Sequence, residues 1–442
     1  MGLTASVVVR LVSALALAVW SPLGMPSAQA VSPPEIDDRM LPKPARPAPP
    51  RPTVQRKVCA MLTGPPSPGP KQFANLDLPR VWQLTRGAGQ RVAVIDTGVS
   101  KHPRLPDVVP GGDYVFTGDG TQDCDAHGTL VAGIIAATTG SEAGDAAGIA
   151  PDVTLISIRQ SSAKFAPAGD ASHAGIGDVN TMASAVRTAA DLGASVINIS
   201  SVACVPATSA LDDRALGAAL AYAVDIKNAV IVAAAGNTGS TGQCPPQRPD
   251  ANWQTSSVAV SPAWYDDYVL TVGSVRADGT PSAFSLAGPW VDVAAIGEAV
   301  TSLTSTPLSG TSYAAPVVSG LAALIRARFP ALTARQVMQR IEATAHHPPA
   351  GWNPLVGNGA VDVLAAVSSD SGSPGNIAKP PPVRAPAAAP PQTGSRPADL
   401  RSRDTALRGT ALCVVAALCV VIFGAARRRL GSPQAREHVA AD

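Results

Sequence analysis

Charge and aromatic rings are both scarce in this chain: Asp, Glu, Lys and Arg supply 15% of its 442 residues, and Phe, Trp and Tyr 4%. The net charge is +2, and no long basic run crosses the middle of the sequence. Nucleic acid, which needs a concentrated patch of Lys and Arg, is therefore not an expected partner. Neither a C-x-x-C pair nor an H-E-x-x-H signature occurs. Nothing points to a zinc site, and no metal or cofactor is expected, with structural calcium left open. What the chain has instead is apolar side chains, 46% of the total, enough to bury a sizeable core and too many for wholesale disorder.

Proline is plentiful but unevenly spread. Residues 31–70 hold twelve and residues 374–397 hold eight, a density that favours polyproline II over a packed core. These stretches are expected to flank the fold as an arm over 31–74 and a linker over 369–408. Ahead of the arm, the apolar run 11–20 follows Arg10 and leads to Ala28-Gln29-Ala30, the layout of a secretory signal over 1–30. Beyond the linker, Gly409 to Ala426 carries no charge, spans about one bilayer and is followed by Arg427, Arg428 and Arg429. Basic residues stay on the cytoplasmic side. The expected topology is a single-pass protein of the cell membrane, with the bulk of the chain extracytoplasmic and a cytoplasmic tail over 427–442. Pro391-Gln392-Thr393-Gly394 resembles part of a sortase signal, but Pro390 stands where that signal has Leu. No internal repeat is visible, which leaves residues 75–368 as the folded domain.

Cys413 and Cys419 lie in the membrane run. Cys59, Cys124, Cys204 and Cys244 suit an oxidising compartment and allow three disulfide pairings. A four-cysteine metal site is the rival reading.

Within the domain, residues 92–95, 155–158, 196–199 and 230–234 are short apolar runs, and residues 179–192 and 211–226 carry helical patterns. Runs buried on both faces, alternating with helices, predict an α/β fold: a doubly wound, mostly parallel sheet with flanking helices. Thr333 with Gln336 marks the opening of a further helix, and Gly193 the end of another. Ligands of such sheets bind beyond the carboxyl ends of the strands, so the chemistry is to be sought there.

Four motifs sit at such ends. Strand 92–95 runs into Asp96-Thr97-Gly98. Alone, that triplet would also fit an aspartic protease, but its second candidate, Asp370-Ser371-Gly372, follows no apolar strand. His127-Gly128-Thr129 opens an apolar helix, where an isolated His is ordinarily a surface residue. Strand 230–234 leads to Ala235-Gly236-Asn237, where an isolated Asn is ordinarily a turn residue but its amide can also donate to an oxyanion. Ser312 stands at the start of a helix running to about Ala327, as an N-cap or as a nucleophile whose own N–H faces a developing anion. Each signal is modest; the ordered set Asp, His, Asn, Ser is specific.

The ordered set resembles the subtilisin-type serine proteases, the subtilases. VIDTGV at 94–99, HGTLVAGI at 127–134, AAAGN at 233–237 and GTSYAAP at 310–316 match the family pattern, and GNGAVDVLAAV at 357–367 resembles its closing turn and helix. The resemblance implies a peptide-bond hydrolase acting on polypeptide substrates, with Ser312 as nucleophile, His127 as base and then acid, and Asp96 orienting the imidazole. It assigns the oxyanion hole to Asn237 and the Ser312 N–H. It places substrate along Ser200, Ser201 and Val202, with Ala235 and Gly236 on the opposite wall. Two departures stand out. Val202 falls where a glycine is usual and is expected to narrow the groove. The arm is too short and too proline-rich for a folded inhibitory pro-domain. Cys59 lies in that arm and Cys124 three residues before His127, so Cys59–Cys124 is the favoured bridge, with Cys204–Cys244 joining the ends of two strands. The whole layout is similar to the mycosins, membrane-anchored proteases of type VII secretion. That likeness implies the type VII membrane complex as a partner, with either proteolysis or stabilisation of that complex as the main role.

Overall fold

A strand with no polar side chain is stable only when both of its faces are covered, and the middle of this chain supplies several. The computed structural model describes residues 31–62, 73–138, 147–170, 175–239, 243–304 and 306–368. The expected signal (1–30), linker (369–408), membrane run (409–426) and tail (427–442) lie outside the described residues. Among the described residues no helix is long and apolar enough to cross a membrane.

The strands are β1 (Thr53–Gln55), β2 (Arg91–Asp96), β3 (Val108–Asp113), β4 (Thr154–Arg159), β5 (Phe165–Pro167), β6 (Val196–Ile199), β7 (Ala203–Pro206), β8 (Val230–Ala234), β9 (Val258–Ser261), β10 (Leu270–Val275) and β11 (Val293–Ile296). The helices are α1 (Leu78–Leu84), α2 (His127–Ala136), α3 (Val179–Asp191), α4 (Arg214–Ala221), α5 (Thr311–Arg328), α6 (Ala334–Thr344) and α7 (Val363–Val367). Seven strands form one sheet in the order β11-β10-β8-β6-β2-β4-β3, every neighbouring pair parallel. From β2 the chain crosses first to the edge strand β3 and then comes back to insert β4 between β2 and β3. It then returns and adds β6, β8, β10 and β11 on the other side. The strand order therefore reverses between β2 and β6, and the carboxyl ends of these two strands diverge into a crevice.

Helix α5 is buried along most of its length and packs on β6, β8, β10 and β11. Helix α3 opens with a reciprocal capping box of Asp178 and Thr181, and beyond it Gly193 takes the left-handed conformation (φ 75°) that stops the helix. Thr333 and Gln336 cap α6 in the expected manner. The helix expected over 211–226 is shorter: α4 starts at Arg214 and passes at Tyr222 into a π turn ending at Ile226. Strand β3 escapes the apolar-run criterion because it reads Val-Val-Pro-Gly-Gly-Asp and carries a register shift between Pro110 and Gly112. As an edge strand it tolerates a residue without an N–H.

One expectation is corrected. The proline-rich arm does not stay outside the packed fold. Val31 is buried in the core and donates its N–H to the Trp253 carbonyl at 2.9 Å, and Ile36, Leu41 and Leu62 pack on the same core. Strand β1 pairs antiparallel with β5, and the Thr53 hydroxyl donates to the Val115 carbonyl at 2.5 Å. Proline limits the conformations of the unfolded arm, so laying it down as an extended strap loses little chain entropy. A few spaced apolar residues then suffice to dock it. Cys59 is bridged to Cys124, and Cys204 on β7 to Cys244.

Candidate active site

Asp96 is the last residue of β2 and is 1% exposed. Its Oδ1 accepts the Thr97 N–H at 2.7 Å and meets His127 Nδ1 at 2.7 Å. His127 is the first residue of α2, and the helix start lies hard against the Asp96 turn: a Cβ on Gly128 would come within 2.2 Å of the Gly98 carbonyl oxygen. Only a residue without a side chain allows this approach. Burial opposes the charged imidazolium. The Asp96 carboxylate and its hydrogen bond, with the charges of Asp123 and Asp125, outweigh that effect and hold the His127 pKa above the ordinary 6.5. The His127 ring also lies 5.3 Å, centroid to centroid, from the ring of Tyr313. Burial, with the charges of Asp96 and Asp123, pushes that phenol up to about 12.

Ser312 is the second residue of α5 and is 8% exposed. In the first helical turn its N–H has no intrahelical acceptor and sits at the positive end of the helix dipole. His127, Ser200, Ser201, Val202, Ala234, Gly236, Asn237, Gln243, Cys244, Thr311 and Ser312 line one cleft of about 230 Å³. No hydrogen bond joins His127 to Ser312 in the resting cleft; such contacts often tighten only when substrate is bound.

The amide of Asn237 is oriented by its neighbour. Its Oδ1 accepts the N–H of Thr311 at 2.9 Å and the Thr311 hydroxyl at 3.1 Å. A backbone N–H can only donate, so the oxygen must face Thr311, and Nδ2 is left as the free donor. Both Nδ2 and the Ser312 hydroxyl lie beside Gly310, 3.6 and 3.0 Å from where a Cβ would stand. The donor and the hydroxyl thus border the same space. Thr311, which sets this orientation and also accepts the Gly236 N–H at 3.2 Å, escapes sequence reasoning because it reads as an ordinary first-turn threonine.

On the far wall, Asn198 is fully buried; its amide donates to the Ser200 hydroxyl at 2.9 Å and accepts from Ser319 of α5 at 2.9 Å. The strand end that carries Ser200, Ser201 and Val202 is thereby tied to the helix that carries Ser312. Gly236 adopts φ 103°, and a Cβ there would come within 2.9 Å of Cys244 Sγ, so the Cys204–Cys244 bridge backs this wall directly. Ala235 is a correction: it is fully buried, donates its N–H to the Val272 carbonyl, and does not line the cleft, whereas Ala234 does. A separate hollow of about 310 Å³ between the arm and α3 contains neither His nor Ser312. Among the described residues no group of three or more His, Cys, Asp and Glu side chains is placed to hold a metal ion.

An acid, an imidazole, a hydroxyl and an amide donor gathered at the reversal point of an open parallel sheet place the chain among the α/β serine hydrolases. The profile of the subtilase family matches residues 87–359. Mycosin-4 of Mycobacterium tuberculosis is 65% identical over 448 residues, covering 97% of this chain and 98% of that protein. The crystal structure of MycP1 from Mycobacterium smegmatis superposes with a TM-score of 0.69 at 44% identity, over 76% of this chain and 95% of that one. A chain in the structure of an intact ESX-5 inner membrane complex matches with a TM-score of 0.69 at 40% identity, over 90% of this chain and all of that one. The chain belongs to the subtilase family, in its mycosin branch, and is a subtilisin-type serine protease.

Proposed function

We propose that the protein cuts polypeptides with Ser312 as nucleophile, His127 as general base and then acid, and Asp96 as the group that holds and charges the imidazole. The observation that carries this reading is the 2.7 Å contact between His127 Nδ1 and the buried Asp96, in a cleft shared with Ser312. A serine hydroxyl is a poor nucleophile at neutral pH and needs a base. With Nδ1 bonded to Asp96, the other ring nitrogen, Nε2, is free to take the Ser312 proton as Oγ attacks the substrate carbonyl. The oxyanion that forms is met by Asn237 Nδ2 and the Ser312 N–H. His127 then returns the proton to the leaving amine, and water repeats the cycle on the acyl-enzyme. Substrate lies along Ser200, Ser201 and Val202 as an added strand. Val202, with a branched side chain where glycine is usual, narrows that groove and favours a small set of substrates.

The working location we propose is the outer face of the cell membrane within a type VII secretion complex, anchored by one C-terminal helix with its tail in the cytoplasm. The domain over 75–368 carries the chemistry, and the arm stays attached after maturation through Val31, β1 and the Cys59–Cys124 bridge. N-terminal sequencing of the membrane form is expected to start near Val31; a start near Asn75 with the arm gone would remove this part. Labelling of the purified protein with a fluorophosphonate probe, lost in Ser312→Ala, tests the nucleophile. An unlabelled wild-type protein would overturn the catalytic reading.

A structural role is the second reading, because a chain of the ESX-5 inner membrane complex is among the structures that this one resembles. Complementation with Ser312→Ala separates the two roles. Secretion restored without cleavage points to scaffolding, and loss of both points to catalysis.

A further inference from the structure

Asp123 has no part in the chemistry above, yet its half-buried side chain accepts five hydrogen bonds. Oδ1 takes the Thr97 hydroxyl at 2.8 Å and the N–H groups of Asp125 and Ala126 at 3.0 and 2.8 Å. Oδ2 takes the N–H and the hydroxyl of Thr129 at 2.8 and 2.6 Å. These donors come from two different elements. Thr97 follows Asp96 at the end of β2; the others belong to α2 and the residues leading into it. Thr97 closes the link from its own side, since its Oγ1 accepts the Gly128 N–H at 2.9 Å. Burial raises the Asp123 pKa, but each carboxyl oxygen already faces at least one backbone N–H, which can only donate, so the arrangement favours the anion.

A second observation points the same way. Ala126, immediately before His127, is held in the left-handed region at φ 66°, a conformation that a residue with a Cβ rarely adopts. Its N–H is one of the five donors to Asp123. The strain therefore sits where the chain turns to aim the imidazole, and the carboxylate holds it there.

We propose that Asp123 is a positioning residue for the proton relay: by fastening the end of β2 to the start of α2 it sets the approach of Asp96 to His127. The inference rests on reading Asp96, His127 and Ser312 as the triad. The charged and titratable groups facing the imidazole are Asp96 from β2, Asp123 and Asp125 from the segment before α2, and Tyr313 from α5. Removing the Asp123 charge takes away one of three anions that favour protonated His127.

The test uses the full chain and a peptide substrate. Asp123→Asn is expected to lower kcat about 10²-fold, the size of effect that follows a misplacement near 1 Å. KM should change little, and the acid limb of the pH profile should move down. Thr97→Val, which cuts the link at its other end, should lower kcat in the same sense, and Thr97→Ser should restore it. In an Asp96→Asn background the Asp123→Asn change should cost almost nothing further, because no acid–imidazole pair is left to align. Wild-type kcat in folded Asp123→Asn, or an equal loss in both backgrounds, overturns the proposal. Should Asp123→Asn fail to fold, the Thr97 pair decides: Val and Ser variants both turning over at the wild-type rate sink it. Fluorophosphonate labelling of the wild type reports separately on the triad, so failure of that reading is distinguishable from failure of this one.

Discussion

Gly128→Ala is the smallest perturbation that strikes the acid–imidazole pair. A Cβ at this position would stand 2.2 Å from the Gly98 carbonyl oxygen, 3.0 Å from Asp96 Cβ and 3.1 Å from Asp96 Oδ1. Contacts under 3.0 Å essentially never occur, so the helix start and the Asp96 turn must part by at least the 0.8 Å that separates 2.2 from 3.0. Backbone blocks relief on the Gly98 side, and Asp123 ties the same two elements together on the other. The opening falls on the 2.7 Å bond between His127 and Asp96. A misalignment of this order lowers kcat by about 10²-fold, and overpacking of a tight site destabilises the fold by about 1–3 kcal/mol. The assay is peptide turnover together with thermal unfolding of the same preparation, and the rate of fluorophosphonate labelling should fall in parallel. A folded Gly128→Ala protein with wild-type kcat/KM would refute the reasoning, because the close approach would then have no bearing on the rate.

Four further outcomes are expected. Asn237→Ala should cut kcat by about 10²–10³-fold with little change in KM, a magnitude carried over from loss of the corresponding donor in subtilisin; an unchanged kcat would remove Nδ2 from the oxyanion site. The acid limb of kcat/KM should inflect above pH 6.5, since His127 must be neutral to act as base and its surroundings favour the protonated form. For stability the sign is reversed. A pKa raised on folding stabilises fully below the unfolded value and is lost as pH climbs through the folded one, so unfolding at pH 6 and pH 9 with and without His127→Gln checks it. Replacing Cys59 and Cys124 together by Ala should lower stability by about 2–4 kcal/mol in urea unfolding without reductant, and unaltered stability would mean that the arm is held by its packing alone.

The runs over 92–95, 155–158, 196–199 and 230–234 could be read directly because a strand covered on both faces has few polar positions to obscure it, Ser157 and Asn198 being the exceptions. The same logic hides β3, where Pro110 and two glycines are tolerated at a sheet edge, and it hides the docking of the arm, where four apolar residues are scattered among prolines. The four chemical side chains were legible because each sits in a short motif at an element end. Asp123 and Thr311 were not, since their importance lies in which donors surround them, and an Asp in a loop or a Thr opening a helix looks the same whether or not it is so surrounded. The assignment of Ala235 to the wall missed by one residue. Neighbouring positions at a strand end face opposite ways, and three consecutive alanines give no hint of which one faces the cleft.

The reversal of strand order has a temporal side. The acid lies on the first strand of the sheet in chain order, while the hydroxyl rides on a helix near the close of the domain, packed against strands that come between them in the chain. Contacts between such distant stretches form late. Until the last third of the domain has folded, the acid and the imidazole therefore have no hydroxyl beside them.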